Sequence, residues 1–153
     1  MRDARTRFSK WIHPFPLLSI TLSLVCTGAA SAACLLTDYS TRAEYFRSEA
    51  VLVGSVLSER NIPESDVPDT PGGTYYMVRV LKTLRGIPTR TVEIFSENSS
   101  GRFPMHIGTS YLLFLYRQQG VLSADYCGNS GPLTTKADVL RKARQLAKSE
   151  PAS

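Results

Sequence analysis

Few residues in this sequence carry side chains suited to chemistry. There are 3 cysteines and 2 histidines in 153 residues: Cys26, Cys34 and Cys127, with His13 and His106. Cys127 ends a strand-like run in "DYCGNSGPL". Three roles are open to it: reactive thiol, metal ligand, or one end of a disulfide. Zinc sites draw on ligands at short spacings such as C-x-x-C or H-x-x-x-H. Neither spacing occurs here, so no intrinsic metal site is expected. His106 lies beside Pro104 in a Gly/Pro-containing loop and reads as a solvated residue. No G-x-S-x-G elbow is present, and a single histidine outside the N-terminal region would have to complete any triad. Glu93 and Glu97 form a pair of carboxylates, but at a strand end, where a solvated face is the simpler reading. No enzyme and no cofactor are expected.

The compartment narrows the role of Cys127. Arg2, Arg5, Arg7 and Lys10 precede the apolar run "LLSITLSLVCTGAA", and "SAA" follows before Cys34. Basic, then apolar, then small is the order of a secretory signal. The run is short for a membrane span, which needs about 20 residues. Residues 1–33 are therefore expected to be a signal peptide. Cleavage after Ala32 leaves Ala33 first, and cleavage after Ala33 leaves Cys34 first. A third outcome is acylation of Cys34 as a lipoprotein, although Ser31 stands where such motifs usually carry Leu or Val. The expected location is periplasmic or extracellular, with membrane attachment only if Cys34 is lipidated.

Four of the 18 Lys and Arg and one of the 13 acids lie in the presequence. Its removal leaves 14 against 12, a net charge of +2 in place of +5. The pI of 9.3 is thus no argument for nucleic-acid binding. Cys26 leaves with the presequence. Cys34 and Cys127 remain, an even pair in an oxidising compartment, and a structural disulfide is expected.

These residues need elements to position them. "TDYSTRAEYFRSEA" reads as a short helix, with Thr41 and Glu44 at capping-box spacing and Tyr45, Phe46 and Ala50 on its apolar side. "AVLVGSVLSE" is a strand in which Gly54 marks a bulge or bend. "RNIPESDVPDTPGG" reads as a loop. "TYYMVRVLKTL" and "TRTVEIFSE" are strands joined by the turn "RGIP". "NSSGRFPMHIG" is a second polar loop. "TSYLLFLYR" is the most apolar strand and is expected at the centre of a sheet. "QQG" turns into a last strand, "VLSADYC". A C-terminal helix is expected at about 134–149, capped by Thr135 with Asp138, and 150–153 is a tail. Its Val139, Leu140, Ala143, Leu146 and Ala147 make one stripe, and its basic residues read as a solvated face. Five short strands with turn signals suggest a small barrel or sandwich.

In order and spacing, "EAVLVGSV", "YYMVRVLKTLRG", "VEIFS", "GTSYLLFLY" and "YCGNSGPL" resemble the netrin-like domain family. The likeness is nearest to bacterial secreted relatives of the tissue inhibitors of metalloproteinases, and it covers about residues 34–133. It implies a mainly β fold: a five-stranded OB-like β-barrel with a short N-terminal helix and a longer C-terminal helix, within 34–149. It implies that the first cysteine holds the N-terminal segment against the barrel. Many members open Cys-x-Cys; this chain has Leu36 at that place, and one bond would remain.

The resemblance also implies a non-catalytic protein-binding module acting through Cys34, Leu35, Leu36 and Thr37. In inhibitors of this kind, the amine and carbonyl of the first cysteine chelate the zinc of a metalloproteinase. That requires Cys34 to be the first residue. The alternative is a structural or envelope-associated domain without inhibitory activity. OB barrels also bind single strands through aromatic and basic residues. Tyr75, Tyr76, Arg79, Lys82, Arg85 and Arg90 are candidates, but export and the small charge argue against nucleic acid. The loops Asn61–Gly73 and Asn98–Gly108 are further recognition candidates. A monomer is expected.

Overall fold

A computed structural model describes residues 34, 38–64, 67–86 and 88–150. The presequence, Leu35, Leu36, Thr37 and the end of the tail lie outside the described residues. The elements are α1 (Thr41–Arg47), β1 (Ala50–Glu64), β2 (Val67–Arg85), β3 (Thr91–Glu97), β4 (Ser110–Gln118), β5 (Val121–Ala124), β6 (Gly131–Pro132) and α2 (Ala137–Ser149). The fold is mainly β, with the expected short helix first and the longer helix last.

All strand pairings are antiparallel, and the order is β3-β2-β1-β4-β5, with β6 added to β4. No ladder joins β5 to β3, so the sheet is not closed by hydrogen bonds. The two end strands nevertheless lie beside each other.

β4 explains its own composition. Tyr111, Leu113 and Leu115 point into one core with Leu52, Val56, Tyr76, Val78 and Ile94. Leu112 and Phe114 point the other way, into a second core with Tyr45, Val51, Val53, Leu84 and Ala143. A strand buried on both faces reads as a continuous apolar run rather than an alternation. It lies inside the sheet as expected, but β1 holds the middle place. The second core is roofed by α1 and α2, which supplies Val139, Leu140, Leu146 and Ala147.

Several local expectations are corrected. The stretch read as the loop Asn61–Gly73 is the outer part of one long hairpin: Asn61 pairs with Thr74 and Ile62 with Gly73. Its prolines sit where only one strand partners the segment, so the missing N–H groups cost little. The loop before β4 is not free either, because Phe103 and Met105 are buried in the first core. The register slips between Val53 and Gly54, the irregularity expected there. Gln118 pairs with Val121, and the two residues between them, Gln119 (φ 49) and Gly120 (φ 86), make the tight turn. Two positive φ values suit the right-handed twist of a hairpin.

The caps also differ. Ser40, not Thr41, caps α1 and accepts from the Ala43 N–H. Lys136 stands at the start of α2 with no side-chain cap, so Thr135 and Asp138 form no box. Thr135 Oγ1 instead donates to Pro132 O.

Candidate functional site

Cys34 and Cys127 form a disulfide with a Cα–Cα distance of 5.6 Å, across a sequence separation of 93. Of the three roles open to Cys127, this leaves the tie. The bond joins the start of the described chain to the loop that follows β5.

The rest of that loop is a receptor for the segment behind Cys34. Asp125 Oδ1 accepts the Cys127 N–H at 2.8 Å, and its backbone oxygen accepts the Gly128 N–H at 3.2 Å. These bonds hold the turn. Its other carboxylate oxygen accepts the Tyr39 hydroxyl at 3.0 Å. Asn129 Nδ2 donates to the Tyr39 carbonyl at 2.6 Å. The loop therefore grips Tyr39 from both its side chain and its backbone. Ser130, also buried, fixes the far end of the loop by accepting the Phe114 N–H of β4 at 2.9 Å.

Glu44 of α1 is the centre of the arrangement. It is fully buried beneath the loop. Its Oε2 accepts the Asn129 N–H at 2.7 Å and also Asn129 Nδ2, and its Oε1 accepts the Tyr116 hydroxyl at 2.9 Å. A buried carboxylate needs such donors, since an unpaired one is costly. The Tyr116 hydroxyl is pushed up to about 12 by burial and by the Glu44 charge beside it. Gly128 packs against Glu44 Oε1 so closely that a Cβ there would overlap it. "Cys-Gly-Asn" is thus one covalent tie, one close approach and one set of donors.

Sequence reasoning assigned Glu44 to a helix cap and left Tyr39, Tyr116 and Asn129 without a role. The available signal was an acid adjoining Tyr45 on the apolar side of a short helix, where a solvated carboxylate does not belong.

The other candidates are not brought together. His106 is exposed, and its N–H donates to the Tyr111 hydroxyl. Glu93 pairs with Arg60 at 3.5 Å, both exposed, while Glu97 accepts from Ser99. Tyr76 is buried, Tyr75 stacks against Phe95 at 4.8 Å, and Arg85 is held by Glu150 and by Ser48 O. Among the described residues, no group of three His, Cys, Asp or Glu could hold a metal ion. Among them, too, no helix is long and apolar enough to cross a membrane.

A cleft of about 590 Å3 opens between β3 and β5. Phe95, Ser96 and Glu97 form one wall, Val121, Ser123 and Ala124 the other, with Arg47 and Tyr116 at its end. Among the described residues, no histidine or cysteine lines it. No protein-family model matches this chain, and no curated protein matches it.

Proposed function

We propose that this chain is an exported, non-catalytic protein-binding module of the netrin-like type. Its partner face is the N-terminal segment Cys34–Thr37, and its partner is a metalloproteinase. The observation that carries the reading is the double anchorage of that segment: Cys34 is bonded to Cys127, and Tyr39 is gripped by Asp125 and Asn129. Anchoring a recognition segment before it meets its partner removes part of the ordering cost of binding.

The strand arrangement supports the OB-like barrel in this proposal. β3 and β5 each run parallel to β1, since each is two antiparallel steps from it. Their closure would be a parallel seam, the weaker kind of pairing per residue, along a β5 of only 4 residues. A partly open five-stranded Greek-key barrel is the expected result.

The disulfide occupies only the sulfur of Cys34. Its carbonyl remains an oxygen donor, and its amine a nitrogen donor if no residue precedes it. An α-amine titrates near 8, so a useful fraction is neutral at ordinary pH. Zinc accepts such nitrogen and oxygen ligands. The first test is mass spectrometry of the exported protein, where a chain starting at unmodified Cys34 is expected. Protein starting at Cys34 should then inhibit a secreted zinc metalloproteinase, and protein retaining Ala33 should not. Equal inhibition by both forms, or none by either, overturns the chelation. An acyl chain on Cys34 would favour an envelope-associated domain without inhibitory activity.

A further inference from the structure

Arg42 and Lys142 line one groove between α1 and α2, and no carboxylate lines it with them. The groove measures about 400 Å3, and its other walls are Thr41, Gln145, Leu146 and Ser149. Like charges in one groove repel unless a counter-charge lies near. Every acid on these two helices and their flanks is already engaged. Glu44 is buried under Asn129 and Tyr116. Asp138 pairs with Arg141 at 2.8 Å, and Glu150 holds Arg85 and Tyr45. Asp38 accepts the backbone and side chain of Ser40. Among the described residues, Arg42 meets only the face of Phe46, 5.1 Å from the ring centroid, and nothing pairs with Lys142.

We propose that this groove binds a phosphate-type oxyanion, presented by an anionic phospholipid headgroup or by a soluble phosphate ester. The guanidinium of Arg42 matches two phosphate oxygens at once, and the Lys142 ammonium adds a point charge. Thr41 and Gln145 add neutral donors, and Leu146 forms an apolar wall. The groove lies toward the carbonyl end of α2, whose dipole opposes an anion. The attraction therefore comes from the two side chains and not from the helix. Phe46, 43% exposed, adjoins Arg42. Neither Arg42 nor Lys142 participates in the Cys34 anchorage, so the proposal stands or falls separately from the partner face.

The test uses the exported protein with inorganic phosphate, glycerol phosphate, and vesicles of phosphatidylglycerol or phosphatidylcholine. At constant ionic strength, phosphate is expected to shift amide resonances of α1 and α2 saturably, and chloride is not. If the headgroup is the source, phosphatidylglycerol vesicles sediment the protein and phosphatidylcholine vesicles do not; if the ester is the source, only the small anions bind. Arg42→Gln and Lys142→Gln should each weaken binding about fivefold. Arg144→Gln, on the flank of α2 away from the groove, should leave it unchanged. All three side chains are exposed, so their thermal midpoints should match the parent. Equal weakening by Arg144→Gln would mean diffuse attraction and overturn the site, as would the absence of saturable binding to every probe.

Discussion

Gly128→Ala should be among the most damaging single-methyl changes in this protein. Gly128 is not at positive φ, so alanine fits the backbone and the cost must come from contact alone. The new Cβ would overlap Glu44 Oε1 and stand 3.3 Å from Asp125 O. A carboxylate at the surface would swing aside at little cost. Glu44 is fully buried and held by Tyr116 and by two donors of Asn129. A hydrogen bond to a charged group contributes about 1.5–3 kcal/mol. Displacing the carboxylate weakens up to three of them, and relaxation recovers part. The expected loss is about 3–4 kcal/mol by the same measure. For a domain of this size it lowers the thermal midpoint by roughly 12–16 °C.

A double-mutant cycle with Glu44→Ala isolates the cause. Glu44→Ala alone strands the same donors and opens a void, a loss of about 3–5 kcal/mol. In that background the methyl added by Gly128→Ala meets no carboxylate, so its added cost should fall below about 1 kcal/mol. Urea unfolding of the four oxidised proteins measures this. An undiminished cost of Gly128→Ala in the Glu44→Ala background would refute the argument. So would a cost near zero in the parent.

Two further outcomes follow from the same geometry. Replacing Cys34 and Cys127 together by serine removes a tie across a separation of 93; the chain-entropy account gives a loss of about 4–5 kcal/mol in urea unfolding, and a loss under about 1 kcal/mol would contradict it. The Tyr45 hydroxyl shares its one proton between Leu84 O at 2.8 Å and Glu150 Oε2 at 3.0 Å, and burial first, then Glu150, pushes it up to about 12. Below pH 10 both folded and unfolded states keep this proton; between about 10 and 12 only the folded state does, so stability should fall as pH rises through that window. Tyr45→Phe should flatten that decline in a pH series of unfolding midpoints and cost about 1 kcal/mol at neutral pH, and an unchanged slope would contradict the assignment.

The sheet was legible because its signals are local. The run from Tyr111 to Leu115 announces a strand buried on both faces, and two positive φ values at Gln119–Gly120 follow from a short polar turn between apolar strands. The hairpin tip was misread for a physical reason. Pro63, Pro68 and Pro71 mark a loop where both edges of a strand must be paired, yet a segment with one partner tolerates them. The tie at Cys127 was legible by counting, because removing Cys26 left a single partner.

The Glu44 site was not legible, and the reason is its range. Glu44 and Asn129 are separated by 85 positions. Their fit depends on Gly128 lacking a side chain, which no helical or strand period records. A capping box of Thr41 with Glu44 satisfied the local pattern, but Ser40 is the cap and Glu44 turns to Asn129 and Tyr116. The consequence concerns what the disulfide does. Covalent bond and network hold different parts: Cys127 holds Cys34, while Asp125 and Asn129 hold Tyr39 and the Asn129–Glu44 contact holds α1. Opening the bond in the folded protein therefore leaves Tyr39 and α1 held by these side chains, with the Asp38 carbonyl still accepting Arg47 Nη1 at 3.4 Å. The proposed partner face, Cys34 to Thr37, begins at that bond. Reduction should thus change partner affinity while α1 stays docked, so the one bond that contributes to folding stability also sets recognition.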